Sequence, residues 1–170
     1  NPGMSFGTGS HETTRLCLEA LEKYVTPGCR MLDLGCGSGI LSVVSLLLGA
    51  KESVAVDIDP NCIDTAYENA DMNGVPRDKY HVIAGNVVTD PDVQEYISKN
   101  KYEVVAANIV ADVIIGLAPK AREYMKEGGV FITSGIIDGR QEDVKAALIE
   151  NGFTIESMSR RKDWWSIVCR

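Results

Sequence analysis

The chain has 170 residues, 45% of them hydrophobic, and a formal charge of −7. That length fits one domain with a full-sized core and leaves little for a second. The acidic balance, with no basic run longer than Arg160-Arg161-Lys162, leans away from direct nucleic-acid binding and toward a basic protein or a small-molecule partner.

The five cysteines, Cys17, Cys29, Cys36, Cys62 and Cys169, are odd in number and show neither C-x-x-C nor a zinc spacing, which reads as reduced thiols in a cytoplasm. His11 and His81 are too few and too far apart to argue for a metal site. No apolar run approaches the roughly twenty residues of a membrane span, and the opening residues do not resemble a signal peptide.

Turn-forming residues open the chain: Asn1-Pro2-Gly3, then Phe6-Gly7-Thr8-Gly9-Ser10, a small-residue loop around one aromatic. Ser10 suits a helix cap. The run from Glu12 to Glu22 then puts Leu16, Ala20 and Leu21 near helical spacing, and Thr26-Pro27-Gly28 stops it. A first strand over about 30–34 runs into Gly35-Cys36-Gly37-Ser38-Gly39, and an apolar helix follows over 39–48. Next come a strand over 53–57 ending in Asp57, a helix over 60–73 with Pro60 in its first turn, and a strand over 81–85 followed by Asn86. A polar helix over 90–99 leads to a strand over 102–109, apolar until Asn108.

A helix is expected over 112–126 with Met125 inward and Pro119 as a bend, and Glu127-Gly128-Gly129 as a turn. A strand over 130–135 and a helix over 141–150 follow. Strands at 153–155 and 165–169, joined through Arg160-Arg161-Lys162-Asp163, are expected to pair as a hairpin. Regular β/α alternation with short connections predicts an α/β fold with an open, mostly parallel sheet.

The chemistry-bearing stretch is Asp33-Leu34-Gly35-Cys36-Gly37-Ser38-Gly39, a buried strand that breaks into alternating glycines and becomes helical. Glycines let the backbone approach a ligand, and the first amides of a helix favour an anionic or polar group. The spacing is G-x-G-x-G; the third glycine of the dinucleotide pattern G-x-G-x-x-G would fall at Ile40, so NAD loses its best support and S-adenosylmethionine leads. Asp57, 22 residues after Gly35, falls where the second strand of a βαβ unit ends, and its carboxylate there can accept both hydroxyls of a ribose. Asn86 follows the third strand, at an end that often faces the adenine in such units. Asn108 ends a buried-looking run with a group that both donates and accepts, so it needs partners or a ligand. Cys36 sits in the turn with no histidine near it in sequence and reads as a small packing residue.

The combination resembles class I S-adenosylmethionine-dependent methyltransferases. More narrowly, Pro2-Gly3-Met4-Ser5-Phe6-Gly7-Thr8-Gly9-Ser10-His11-Glu12-Thr13-Thr14, Asp33 through Leu41, Val56-Asp57-Ile58-Asp59-Pro60 and Ala107-Asn108-Ile109 look like the PrmA family, which methylates large-subunit ribosomal protein eleven. The resemblance implies a Rossmann-like, seven-stranded, mostly parallel sheet with helices on both faces and the last strand antiparallel, over residues 1–170 as a single domain. It implies S-adenosylmethionine contacts at Phe6, Gly7, Thr8, Gly9, Thr14, Asp33, Gly35, Cys36, Gly37, Asp57, Ile58, Asn86 and Asn108, with Phe6 to Gly9 covering the cofactor and Asn108 orienting the acceptor amine. Glu12 stands where the family usually has proline. The family's separate N-terminal domain, which holds the ribosomal protein, has no expected counterpart in these residues, which leaves substrate identity open. A methyltransferase acting on a small molecule or a glutamine amide, and a non-catalytic cofactor-binding module, remain alternatives.

Overall fold

The computed structural model describes residues 10–170, with side chains from 11 onward. Among the described residues six α-helices and seven strands alternate. Helix α1 (Ser10–Tyr24) precedes β1 (Arg30–Leu34), α2 (Ile40–Leu47), β2 (Glu52–Asp57), α3 (Cys62–Met72) and β3 (Tyr80–Ala84). The second half runs α4 (Pro91–Ile97), β4 (Tyr102–Asn108), α5 (Ala111–Ala121), β5 (Met125–Ile137), α6 (Gln141–Glu150), β6 (Ile155–Arg161) and β7 (Trp164–Cys169).

The strands form one sheet in the order β3-β2-β1-β4-β5-β7-β6. Five are parallel neighbours, and β7 inserts antiparallel between β5 and β6. The fold is therefore the expected α/β sheet with its last strand antiparallel. Alternation along each strand sends side chains to two faces. Leu32, Leu34, Val105 and Ala107 pack with α4, α5 and α6 through Val93, Ile114, Leu117, Val144 and Leu148. Met31, Val104, Ala106 and Ile132 face α1 and α2 through Cys17, Leu21 and Leu41, while Ala55 and Val82 meet α2 and α3 through Val43, Ala66 and Ala70. Near-continuous apolar strands are what a sheet covered on both faces requires.

Several boundaries differ from the sequence reading. Helix α5 keeps Pro119 inside it but ends at Ala121 and tightens into a single 3-10 turn over Arg122–Tyr124. Met125, expected on the inner face of that helix, instead starts β5 and is buried opposite Tyr102. Glu127-Gly128-Gly129 still diverts the chain, now as an irregularity within β5, where the register with β4 jumps from Tyr102↔Met125 to Val104↔Val130. The two closing strands do pair as a hairpin. Arg160 and Arg161 belong to β6, however, so Lys162 and Asp163 alone make the turn, with Lys162 at φ 52°. Among the described residues no helix is long and apolar enough to cross a membrane.

The strand order reverses direction between β1 and β4, and the crevice at such a switch point is where open α/β sheets hold ligands. Register sets the level of each strand end there. Leu34 lies opposite both Val56 and Ala107, so Gly35, Asp57 and Asn108 stand one residue beyond that line on three adjacent strands.

Candidate functional site

A cavity of about 450 Å³ opens at these strand ends. The glycine turn forms its floor through Gly35, Cys36 and Gly37; Asp57 ends β2 and Ile58 follows it, Gly85 to Val88 follow β3, and Asn108 ends β4 with Ile109 and Val110 after it. Val113 and Leu117 of α5 and Gly135 of β5 close the remaining wall. Volume and mixed lining fit a small-molecule ligand, apolar walls giving area and a few polar groups giving orientation.

The turn is held by its neighbours. Gly35 and Cys36 donate their amides to the Val56 carbonyl at 2.7 and 3.1 Å, and Gly37 donates to Asp57 Oδ2 at 2.9 Å. Asp57 Oδ1 accepts the Asp59 amide at 2.9 Å, so the carboxylate is clamped in one orientation at the cavity wall. Each carboxylate oxygen has two lone pairs, and one bond to each leaves acceptor capacity for a ligand hydroxyl. Gly35 has φ 76°, and a Cβ there would lie 2.4 Å from Ile109 Cγ2. Only a side-chain-free residue lets the Ile109 side chain close over the turn.

Asp33 is on β1 but not at the cavity. Its side chain points to the face of α2 and is fully buried, with Oδ2 accepting the Ser42 hydroxyl at 2.7 Å; Ser42 in turn accepts Ser53 Oγ at 2.9 Å. Oδ1 has no hydrogen-bond partner among the described residues. Burial pushes the Asp33 carboxyl up to about 7; the Ser42 hydrogen bond pulls it back in part, and the nearby charge of Asp57 adds to the rise. Asp33 thus ties β1 to α2, the helix that follows the turn.

Of the residues expected to hold a cofactor, Gly35, Cys36, Gly37, Asp57, Ile58, Asn86 and Asn108 all line the one cavity. The Asn86 side chain also accepts the Val88 amide at 2.9 Å and shapes the loop after β3. Cys36 contributes wall rather than reactivity: burial, with Asp33 and Asp57 nearby, pushes its thiol far up, so the nucleophilic thiolate is suppressed. Thr14 on α1 is 8% exposed and does not line the cavity, although its Oγ1 is buried without a partner among the described residues. Phe6, Gly7, Thr8 and Gly9 lie outside the described residues. The sequence reading missed Ile109, Val113, Gly85 and Gly135 as site residues. A glycine at the end of an apolar run, the signal used for Gly35, also marks Gly85 and Gly135, although β5 continues past Gly135 to Ile137.

The arrangement offers a ribose-sized hydroxyl acceptor at Asp57, a close backbone approach at Gly35 and a carboxamide at Asn108. Together with apolar walls from Ile58, Val87 and Val88, these groups suit a nucleoside bearing a polar tail. Among the described residues no three His, Cys, Asp or Glu side chains group closely enough to hold a metal ion.

Comparison with known proteins follows the same line. A family model described as ribosomal protein L11 methyltransferase (PrmA) matches residues 1–170. The ribosomal protein L11 methyltransferase of Lachnoclostridium phytofermentans is 44% identical, over 100% of this chain and 55% of its own length. The chain spans about half the length of the curated relatives it matches. Among solved structures, ribosomal protein L11 methylase from Lactobacillus delbrueckii subsp. bulgaricus superposes with a TM-score of 0.85 at 30% identity, over 95% of this chain and 79% of that one. Aeropyrum pernix fibrillarin, solved with natively bound S-adenosyl-L-methionine, shares the fold at 16% identity and a TM-score of 0.71, over 92% of this chain and 74% of that one. With the family model matched from end to end and the strand-end groups gathered in one crevice, the chain belongs to the ribosomal protein L11 methyltransferase (PrmA) family.

Proposed function

We propose that the chain binds S-adenosylmethionine in this cavity and transfers its methyl group to amine nitrogens of a protein, ribosomal protein L11, in the cytoplasm. The observation that carries the reading is the convergence of Gly35, Asp57 and Asn108, from three adjacent strands, on one cavity. The residues fit the cofactor. Asp57 presents a fixed carboxylate to the ribose, Gly35 and Gly37 let the backbone approach the methionine end, and Ile58 and Asn86 flank the adenine side.

The sulfonium of the bound cofactor supplies an already activated methyl group. The protein's part is then alignment and water exclusion rather than acid or base chemistry. Asn108, Ile109 and Gly135 all line the cavity, and Asn108 Oδ1 and the Ile109 carbonyl oxygen both border Gly135. A primary amine can donate one N–H to each and leave its lone pair free for in-line attack on the methyl carbon. Bound there, S-adenosylmethionine would supply the methyl group and depart as its neutral thioether, and the new ammonium would give its proton to water. Because the amine must arrive neutral, the rate should rise with pH toward the amine's own pKa.

The test is to incubate the chain with S-adenosylmethionine and ribosomal protein L11 and read intact mass. Addition of whole methyl groups is expected. Calorimetry that shows no S-adenosylmethionine binding, or tighter binding of NAD, overturns the assignment.

A further inference from the structure

We propose that Gly135 is a specificity-determining residue of the amine seat: its missing side chain keeps the two acceptor oxygens, Asn108 Oδ1 and the Ile109 carbonyl, open to a nitrogen with two hydrogens to donate. The inference rests on the methyl-transfer reading and names the feature that selects an amine.

Gly135 is set into β5 by a bulge. Ser134 pairs with Ser166 of β7 and Ile136 with Trp165, so Gly135 is the extra residue, at φ 85°. Bulges re-aim the backbone, and this one turns the open side of Gly135 toward the end of β4. A Cβ at 135 would lie 2.7 Å from the Ile109 carbonyl oxygen and 3.1 Å from Asn108 Oδ1. The first separation is one that real side chains do not show. The carbonyl cannot easily retreat, because the Ile109 amide of the same residue is bonded to Ser134 O at 3.1 Å and Asn108 is paired in β4 opposite Ser134.

A side chain at 135 would therefore press on both oxygens, covering them or pushing them away from a donor in the cavity. With one acceptor covered, the site would satisfy a single donor hydrogen, which suits a hydroxyl and leaves an amine's second N–H unpaired. Positive φ alone would also explain a glycine at 135. Gly139 serves as the comparison, with φ 106° and nothing within 4 Å of its Cβ position.

Three variants separate crowding of the seat from backbone strain: Gly135→Ala, Gly135→Asn and Gly139→Ala. Asparagine tolerates positive φ better than alanine yet carries the same Cβ. The full chain is assayed for S-adenosylmethionine affinity by calorimetry and for kcat and KM on ribosomal protein L11. The expected result is cofactor affinity within about threefold of wild type in all three variants, with kcat/KM down by about 100-fold in both Gly135 variants and unchanged in Gly139→Ala. Recovery of activity in Gly135→Asn relative to Gly135→Ala, or loss of cofactor binding in both, would make Gly135 a residue of the fold only and overturn the proposal.

A second readout needs no turnover. With S-adenosylhomocysteine bound, titration of Nα-acetyl-lysine methylamide should move the side-chain amide resonance of Asn108 in the wild type and not in Gly135→Asn. Equal movement in both sinks the proposal. A wild type that shifts this resonance but never methylates ribosomal protein L11 refutes the substrate and leaves the seat standing.

Discussion

Replacing Asp33 by asparagine isolates one buried charge. Asp33 is fully buried, Oδ2 takes the Ser42 hydroxyl at 2.7 Å, and Oδ1 has no partner among the described residues. Its pKa is raised to about 7 from an ordinary 3.8, chiefly by burial. Between those values the folded protein keeps a proton that the unfolded chain has already released. Stability therefore falls as pH rises through that window and levels off above it. At about 1.4 kcal/mol per pH unit, the loss accumulated between about pH 5.5 and about pH 8.5 comes to about 2 kcal/mol. Asparagine can still accept the Ser42 hydrogen bond and cannot ionise. Urea unfolding of both proteins at the two pH values should show Asp33→Asn gaining about 2 kcal/mol on the wild type at the higher pH; groups that titrate alike in both drop out of the difference. A difference between the two proteins that is the same at both pH values would refute the reasoning.

Three further substitutions probe the site and the scaffold. Asp57→Ala removes the hydroxyl acceptor and frees the amides of Gly37 and Asp59, so calorimetry should show S-adenosylmethionine binding weakened by about 1–3 kcal/mol; unchanged affinity refutes the ribose assignment. Gly35→Ala meets Ile109 Cγ2 at 2.4 Å and forces alanine to positive φ, so it should lose at least the roughly 1–2 kcal/mol of left-handed strain in urea unfolding. Adding Ile109→Ala should recover the part due to the clash, and a double variant no better than the sum of its parts argues against the contact. Lys162→Gly, at the first position of the two-residue β6–β7 turn with φ 52°, should raise stability by about 0.5–1 kcal/mol, read as a higher urea midpoint at unchanged slope.

Much of the architecture was legible because its signals are local. Hydrophobic periodicity marked α1 and α2, a strand running into glycines marked the turn at Gly35, and the 22-residue interval to Asp57 followed from the length of one βαβ unit. The errors fell where local signals conflict with tertiary ones. Met125 continues a helical pattern, yet pairing with Tyr102 draws it into β5, and the diversion at Glu127-Gly128-Gly129 becomes an irregularity inside a strand rather than a turn before it. Arg160 and Arg161 look like a polar connection but are paired in β6, because an edge strand tolerates charge on its open side.

The candidate site divides along the same line. The sequence by itself determined which residues end or follow the strands, Gly35, Asp57, Asn86 and Asn108, because a change from apolar run to glycine or polar residue is written in the chain. Only the tertiary structure decided that Asp33 faces α2, that Ile109 closes over Gly35 from 74 residues away, and that Gly135 stands against the oxygens of Asn108 and Ile109. The physical reason is that these contacts are made across the sheet. Strand order and register, set by burial on both faces, bring together positions whose separation in sequence carries no information about their distance.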